Sequence, residues 1–342
     1  MEDLAFNKSS NMLADGKEAY IFQTIRADMF NIAFFSHLPW LLPFLKRTPV
    51  LNWNYHEFLG WIQKLIDERS LVSPLHPSPA EKSPPDMNPQ KEPEQPDIFS
   101  WILAAYNKSP KTQRDRWNLH GDAQLIVIAG SDSVAAALTH IFFHLAWDPV
   151  LVKRLQAEFD ALPSIEHGNL MTVDLLDAVI NEVMRLHPPV PSGTQRVTPP
   201  EGMWIGDRFI PGDTIVQVPS YTVFRDERAF EDPDEFIPER WTTRPELVKD
   251  KSVYIPFNIG KYSETTLQWS NTTDTVLGPY ACVGKRLAML ELRRVVAEIL
   301  WRYDLTIAPG QTKEEFLDGK QDTFTTVSAP LHVNFTERAG HM

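Results

Sequence analysis

The sequence predicts a mainly α-helical fold with a minor β portion. Helical patterns of apolar residues fill residues 119–186, whereas short apolar runs between turn-forming pairs begin only after Pro191. Hydrophobic residues make up 43% of the 342 positions and charged residues 23%, an ordinary composition for a chain that buries a large core. Whole-chain disorder and collagen-like repeats are therefore excluded.

In the first part of the chain we predict helices across the first seventy residues, among them an aromatic-rich helix at Trp53–Arg69. A proline-punctuated loop at 39–49 interrupts them. Residues 73–97 then carry eight prolines among Ser, Glu, Lys and Gln. That composition is typical of a solvated, semi-extended segment, so we interpret 73–97 as a Pro-rich linker or loop.

The middle of the chain returns to helical patterns. Leu119–Trp147 is long and apolar, and the Asp148-Pro149 pair behind it is a stop signal. Further helices are predicted at Val150–Leu162 and at Asp174–Leu186, and a His-Pro-Pro run ends the last of them.

The C-terminal part mixes small hairpins with one more helix. Met203–Ile205, Arg208–Ile210 and Thr214–Val218 are short runs separated by Gly-Asp or Pro-Gly pairs, which predicts small hairpins. A last strong helix is predicted at Gly284–Tyr303, and 322–335 alternates like a terminal hairpin.

Charge and cysteine content narrow the possible functions. The net charge of −12 argues against nucleic acid as the main partner. A single cysteine excludes a disulfide framework and a multi-cysteine zinc site. The start of the chain is too polar for a signal peptide, and the apolar stretch at 29–45 is too short and too interrupted to span a bilayer. We therefore expect the chain as given to be soluble or peripheral.

The lone cysteine, Cys282, lies in a glycine-flanked turn. Gly278 stands four positions before it, Gly284 stands two after it, and a predicted helix follows directly. Unpaired N–H groups and the positive end of the helix dipole favour a thiolate at such a position. Gly284 also removes the side chain that would block a flat ligand. The alternative is an inert, buried structural cysteine.

Two further patterns carry charge. Glu182 and Arg185, three positions apart, share one helix face and can pair. Arg240 follows later in the rigid run Pro-Glu-Arg-Trp. If it meets Glu182, the three residues form a buried charge network that fixes the loop leading toward Cys282. The alternative for the first pair is a solvated helix face.

An acid–alcohol pair lies within the long helix. Asp132 and Ser133 follow Gly130-Ser131, and a glycine inside a helix costs about 1 kcal/mol relative to alanine. Together these residues suggest a groove that holds water for proton delivery. The alternative is a helix that merely packs closely at Gly130.

The order of these patterns is more specific than any one of them. An acid–alcohol helix, a Glu-x-x-Arg helix, a Pro-Glu-Arg loop and a glycine-flanked cysteine follow one another along the chain. In this order the chain resembles the cytochrome P450 superfamily, specifically its fungal members, from Asp3 to Asn334. The resemblance implies a cytochrome P450-like fold that lacks its N-terminal part, with 1–342 as a single incomplete domain.

The resemblance also implies roles for individual residues. Cys282 would be the axial thiolate of heme iron, a ligand that favours O–O cleavage, and Gly284 would lie beside the cofactor. Asp132 and Ser133 match the acid–alcohol pair that guides protons to bound dioxygen.

Other residues match positions that, in the family, stabilise the fold or bind the heme propionates. Glu182, Arg185 and Arg240 match the structural triad of the family. Arg196 lies where family members commonly pair with a heme propionate. Tyr280 takes the place of an Arg or His on a propionate, where its phenol can donate one hydrogen bond but carries no charge.

The activity implied is that of a heme-thiolate monooxygenase. It would use iron protoporphyrin IX, dioxygen and electrons from NADPH-cytochrome P450 reductase to insert one oxygen atom into an apolar small molecule, as in fungal secondary metabolism. Full-length family members lie at the endoplasmic reticulum membrane, on its cytoplasmic side. Two alternatives stay open: a catalytically silent truncated product of a monooxygenase gene, and a heme-thiolate isomerase or dehydratase.

Two departures from the family pattern stand out. The chain begins well inside that pattern, so we expect it to lack the membrane anchor, the first strands of the small sheet and one propionate-binding helix. The signature phenylalanine, Phe257, precedes Cys282 by 25 positions instead of seven. We interpret 261–277 as an insertion in the heme-binding loop, translated from a retained intron of 18 codons. If the insertion is part of the protein, Phe257 need not pack against the thiolate.

Overall fold

The chain forms two compact units, residues 1–131 and 132–342. The computed structural model describes residues 5–6, 12–36, 38–48, 53–72, 97–259 and 281–340. Residues 73–96 of the predicted linker and the whole of the predicted insertion, 261–277, lie outside the described residues, so both assignments stay predictions.

Helices build the described part of the first unit. They are Met12–Asp15 (α1), Tyr20–Ser36 (α2), Leu42–Arg47 (α3), Trp53–Val72 (α4) and Ile98–Lys108 (α5), with a 3-10 turn at Pro39–Leu41. Ile25, Phe58, Ile62 and Phe99 are buried together and belong to its apolar core. The predicted loop at 39–49 was wrong, because α3 occupies most of it. Pro43 is tolerated in the first turn of that helix, where a backbone N–H has no intrahelical partner.

A buried ion pair joins α4 to the start of α5. Arg69 Nε lies 2.7 Å from Asp97 Oδ2, and both side chains are less than a tenth exposed. Asp97 also caps α5, since its Oδ1 accepts the backbone N–H of Ser100 at 2.7 Å. The last residue of the predicted linker is therefore part of a packed helix start.

The longest helix is Gln113–Trp147 (α6), which begins six residues before the predicted bound. The reason lies in Thr112 and Asp115, which form a reciprocal cap: the Asp115 N–H donates to Thr112 Oγ1 at 3.2 Å, and the Thr112 N–H donates to Asp115 Oδ2 at 2.8 Å. A Thr-x-x-Asp sequence was the available signal.

Of the residues that the structure describes, α6 is the one helix whose length and composition would allow it to cross a membrane, with a mean hydropathy of 1.7 over its most apolar window. The core helix of a globular unit has the same features. Ala137, Ile141 and Leu145, spaced four positions apart, are buried in the core of the second unit.

In the described part of the second unit, six more α-helices follow. They are Pro149–Asp160 (α7), His167–Leu170 (α8), Asp174–Leu186 (α9), Ser220–Val223 (α10), Lys285–Arg302 (α11) and Lys313–Asp318 (α12). Helix α9 has the predicted bounds, and its residues Ala178–Ile180 and Glu182–Leu186 are all buried. The core joins it to α7 and α11 through Leu155, Val183 and Val296.

The described strands form four separate antiparallel pairs. They are Arg196–Val197 (β1) with Ile215–Val216 (β4), Met203–Ile205 (β2) with Arg208–Ile210 (β3), Tyr303–Ile307 (β5) with Val333–Glu337 (β8), and Gln321–Thr323 (β6) with Thr325–Val327 (β7). The prediction of a mainly helical fold with a minor β portion is confirmed.

The predicted terminal hairpin at 322–335 was wrong. Strands β6 and β7 form a tight hairpin around Phe324, whereas β8 pairs with the distant β5, from Tyr303 opposite Glu337 to Ile307 opposite Val333. Pro330, between β7 and β8, lacks an N–H and interrupts the alternation. The predicted run Thr214–Val218 contains β4, which pairs with β1 and so encloses the β2–β3 hairpin.

Candidate functional site

Cys282 lies in an open turn at the start of α11. Its side chain is exposed, so the buried structural cysteine considered above is excluded. Its N–H donates to the carbonyl oxygen of Phe257 at 2.8 Å, and its own carbonyl accepts the N–H of Lys285, the first residue of α11, at 3.3 Å. The neighbouring Val283 is 90% exposed. The thiol therefore stands at a helix start and is accessible to a ligand.

Gly284 completes this turn beside the sulfur. A β-carbon built at that position would lie 3.8 Å from Cys282 Sγ, an ordinary van der Waals contact, and would meet no other atom within 4 Å. Its φ of −81° is one that any residue adopts. Glycine here thus keeps the surroundings of the sulfur clear and is not demanded by the backbone.

Phe257 holds the other side of the turn. Its ring packs, partly buried, against the core of the second unit, and Lys285 Nζ lies 5.8 Å from the centre of that ring. Together with the hydrogen bond to Cys282, this contact brings the two halves of the signature together although 25 positions separate them. Tyr280 lies outside the described residues.

The structure brings Glu182, Arg185 and Arg240 into one buried network. Glu182 Oε1 accepts from Arg185 Nη2 and from Arg240 Nε, both at 2.9 Å. The charged groups of all three residues are fully buried. The main-chain N–H of Ile237 and the indole N–H of Trp241 donate to the same carboxylate, each at 2.9 Å.

The remaining guanidinium protons fix the loop that follows α10. Arg185 donates to the carbonyl oxygens of Phe224 and Glu235 at 2.9 and 3.0 Å. Arg240 donates to those of Glu231 and Asp232 at 2.9 and 3.1 Å. One carboxylate and two guanidinium groups thus organise the chain between residues 224 and 241. Trp241, which directly follows Arg240, is a further member of the network that the sequence patterns did not predict.

Asp132, Ser133 and Arg196 occupy other elements. The first two are half-buried on α6, which is α-helical without a break through this segment, and Ser131 Oγ donates to the Val127 carbonyl at 2.6 Å. Arg196 is exposed on β1 and donates to the carbonyl of Gln195 at 2.8 Å. The roles assigned to these residues stay predictions.

A cluster of three histidines was not foreseen. The ring of His140 stacks on that of His187 at 4.2 Å, and the Nε2 atoms of His144 and His187 lie 2.9 Å apart. Lys320 Nζ lies 3.2 Å from His187 Nδ1. Spacing of i, i+4 on an apolar helix was visible at positions 140 and 144, but their partners are distant in sequence.

Burial makes these histidines neutral in the folded chain. Desolvation lowers the pKa of His140 to about 4 and that of His144 to about 3, and it lowers the pKa of His187 well below the ordinary value. An unfolded chain takes up protons at these residues near pH 6.5, whereas the folded chain does not. Stability is therefore lost as the pH falls below 6.5.

We expect the second unit to lose about 4 kcal/mol of unfolding free energy between pH 7.5 and pH 5 from His140 and His144 alone. Urea unfolding at a series of pH values measures this loss. His144→Gln should make the pH dependence shallower. A stability that is constant over this interval would contradict the interpretation.

Relatives among curated proteins extend over nearly the whole chain. It is 48% identical over 338 residues to a cytochrome P450 monooxygenase of Eupenicillium brefeldianum. That alignment covers 99% of this chain and 62% of the relative. This chain is 32% identical over 343 residues to tryprostatin B 6-hydroxylase of Neosartorya fischeri, which covers 99% of the chain and 56% of that protein. The chain thus spans about three fifths of the length of these relatives.

A solved structure shares the fold. A zebra fish cytochrome P450 with abiraterone matches with a TM-score of 0.71 and 21% identity, over 99% of this chain and 69% of that one. The family model of cytochrome P450 matches residues 1–263, and its match ends before Cys282. From this match and from relatives of such identity, we conclude that the chain belongs to the cytochrome P450 family.

Proposed function

We propose that this chain carries the catalytic portion of a heme-thiolate monooxygenase, which inserts one atom of dioxygen into an apolar small molecule in fungal secondary metabolism. The observation that carries the proposal is the accessible Cys282 thiol at the start of α11, tied to Phe257 by its backbone. The fungal relatives, which are named as monooxygenases and hydroxylases, support the reaction class.

The cofactor of this family is heme, and the residues of the turn fit it. An exposed thiol is a suitable axial ligand for heme iron, and the small Gly284 leaves the side of the sulfur open to a flat macrocycle. When bound, heme supplies the iron centre at which dioxygen is activated. Cys282 would hold that iron, and Arg196 and Tyr280 would bind propionates.

The chain's other residues would position groups and move protons. Asp132 and Ser133 would deliver protons from the middle of α6. The network around Glu182 would keep the loop from Phe224 to Trp241 in place, and that loop leads along the chain to Phe257. Electrons would come from NADPH-cytochrome P450 reductase, and the full-length protein would work at the cytoplasmic side of the endoplasmic reticulum membrane.

The segment 261–277 belongs to the same proposal as an insertion in the heme-binding loop of a single incomplete domain. Its in-frame length of 18 residues, counted with one glycine, is what a retained intron would leave. Sequencing of the mature transcript decides its origin. A spliced message that still encodes 261–277 would overturn the intron interpretation and leave an insertion of the protein itself.

The thiolate ligand is tested by the carbon monoxide difference spectrum. We expect the chain, expressed with heme supplied and then reduced, to give the red-shifted Soret band of thiolate ligation when carbon monoxide is added. Cys282→Ser should abolish that band, because a hydroxyl does not replace the thiolate as an electron-donating ligand.

Two results would contradict the proposal. A red-shifted band that survives in Cys282→Ser would overturn the ligand assignment. A folded chain that binds no heme would favour the catalytically silent product instead. Circular dichroism of both proteins serves as the control for folding.

A further inference from the structure

A cavity of about 400 Å³ lies within the second unit, next to the C-terminal end of α9. Its lining includes Pro188, Pro191, Tyr221, Leu317 and Lys320. Its volume lies in the range of sites for small organic molecules, and its walls combine apolar surface from three prolines and Leu317 with several polar side chains. The proposed monooxygenase function assigns it no role.

Lys320 is the one lysine or arginine in the described lining of this cavity, and Asp322 is the one carboxylate. Its ammonium lies 3.2 Å from His187 Nδ1 and 5.7 Å from the centre of the Tyr221 ring. Among the described residues, no carboxylate forms an ion pair with it. Partial burial lowers the pKa of Lys320 most and the nearby Arg225 lowers it further, whereas Asp318 partly opposes this shift.

The histidine cluster determines which hydrogen bond the Lys320 ammonium forms within the protein. Because Lys320 can only donate, His187 Nδ1 accepts, and the proton of neutral His187 lies on Nε2. That proton points to His144 Nε2 at 2.9 Å. His187 therefore accepts one of the three ammonium protons as a neutral group, and two protons remain for other acceptors.

The other charged groups near the cavity have partners. Arg225 Nε lies 3.2 Å from Asp234 Oδ1. Asp322 accepts the hydroxyl proton of Ser192 and, at 3.2 Å, the backbone N–H of Phe324. Asp322 thus keeps its charge but is engaged by two hydrogen-bond donors, and Lys320 is the lining cation that an anion would contact.

We propose that this cavity binds a small organic carboxylate, with the carboxylate on Lys320 Nζ and the apolar body between Pro191, Tyr221 and Leu317. A carboxylate can form an ion pair with this ammonium and accept its protons, and charge-assisted hydrogen bonds of this kind are about twice as strong as neutral ones. The prolines and the phenol ring offer rigid apolar surface to the rest of the ligand.

Calorimetric titration of the 342-residue chain tests the proposal with 3-phenylpropanoate as the probe at pH 7.5. We expect saturable binding, and we expect the neutral analogue 3-phenylpropanamide to bind at least about tenfold more weakly, because it lacks the charge. This comparison needs no variant. Equal affinity for acid and amide would overturn the proposal.

Variants then place the probe in the cavity. Lys320→Met should weaken binding of the acid at least about tenfold and remove its advantage over the amide, whereas Lys320→Arg should retain most of it. Leu317→Trp, which fills the cavity without touching the charge, should abolish binding of both probes.

Lys313→Met is the matched control, since the Lys313 ammonium lies 5.3 Å from the centre of the Trp147 ring and outside the cavity lining. Lys313 is the first residue of α12, and Lys320 lies two residues beyond the end of that helix. The Lys313→Met variant should bind the acid as the unchanged chain does. Undiminished affinity in Lys320→Met or in Leu317→Trp would show that the probe binds elsewhere and would refute the assignment.

Discussion

Replacing Glu182 by alanine should destabilise the second unit by about 3–5 kcal/mol, the usual cost of breaking a buried ion pair. That is a large share of the 5–15 kcal/mol by which a domain is usually stable. Two fully buried guanidinium groups would lose the carboxylate that, among the described residues, forms ion pairs with both. Trp241 and the backbone of Ile237 would also lose their acceptor. Urea unfolding, followed by tryptophan fluorescence and circular dichroism, measures the loss.

Glu239→Ala is the matched control for this variant. Glu239 forms an ion pair of similar length with Arg154, 2.7 Å, but both side chains are partly or half exposed. Such a pair contributes about 0–1 kcal/mol. Glu182→Gln, which keeps the shape but loses the charge, should fall between the two alanine variants. If Glu182→Ala and Glu239→Ala unfold at the same urea concentration, the buried network does not hold the unit together.

Replacing Gly193 by alanine should destabilise the second unit by about 3–4 kcal/mol. Gly193 has a φ of +72°, which disfavours any other residue. A β-carbon there would also lie 2.0 Å from the carbonyl oxygen of Val218, and a backbone atom has no rotamer by which to escape. Gly193 precedes β1, so the same displacement would move Arg196.

Gly206→Ala separates the effect of a positive φ from the effect of a steric clash of the added β-carbon. Gly206 also has a positive φ, +60°, but a β-carbon built on it meets nothing within 4 Å. We expect a loss of about 1 kcal/mol, from the backbone alone. Thermal and urea unfolding of both variants give the difference. Equal losses would show that the close approach to Val218 is relieved by a small shift of the chain.

The sequence predicted those features whose pattern lies within a single helix or strand. Helix α9 was placed residue by residue, because its apolar spacing and the His-Pro-Pro run behind it both lie within the element. The pairing of Glu182 with Arg185 followed from spacing on one helix. The contact with Arg240, 58 positions away from Glu182, entered only as a condition, because no local pattern brings the two residues together.

What could not be predicted depends on contacts between distant segments. No local pattern tells that Val333–Glu337 pairs with Tyr303–Ile307 and not with its neighbour, since alternation of side chains is the same in either case. Likewise His187 meets His144 and Lys320 across 43 and 133 positions. Only tertiary packing turns these scattered residues into a cluster and a cavity.

The hydrogen bond between Cys282 and Phe257 closes a loop of the chain, and the free energy of closing it depends only weakly on the length of the loop. The closure entropy of a chain segment grows only with the logarithm of its length, so a spacing of 25 positions in place of seven is unfavourable by about 1 kcal/mol. The backbone hydrogen bond between Cys282 and Phe257, and not the number of intervening residues, therefore sets the geometry at the sulfur. A further doubling of this stretch would therefore be unfavourable by only about 0.6 kcal/mol.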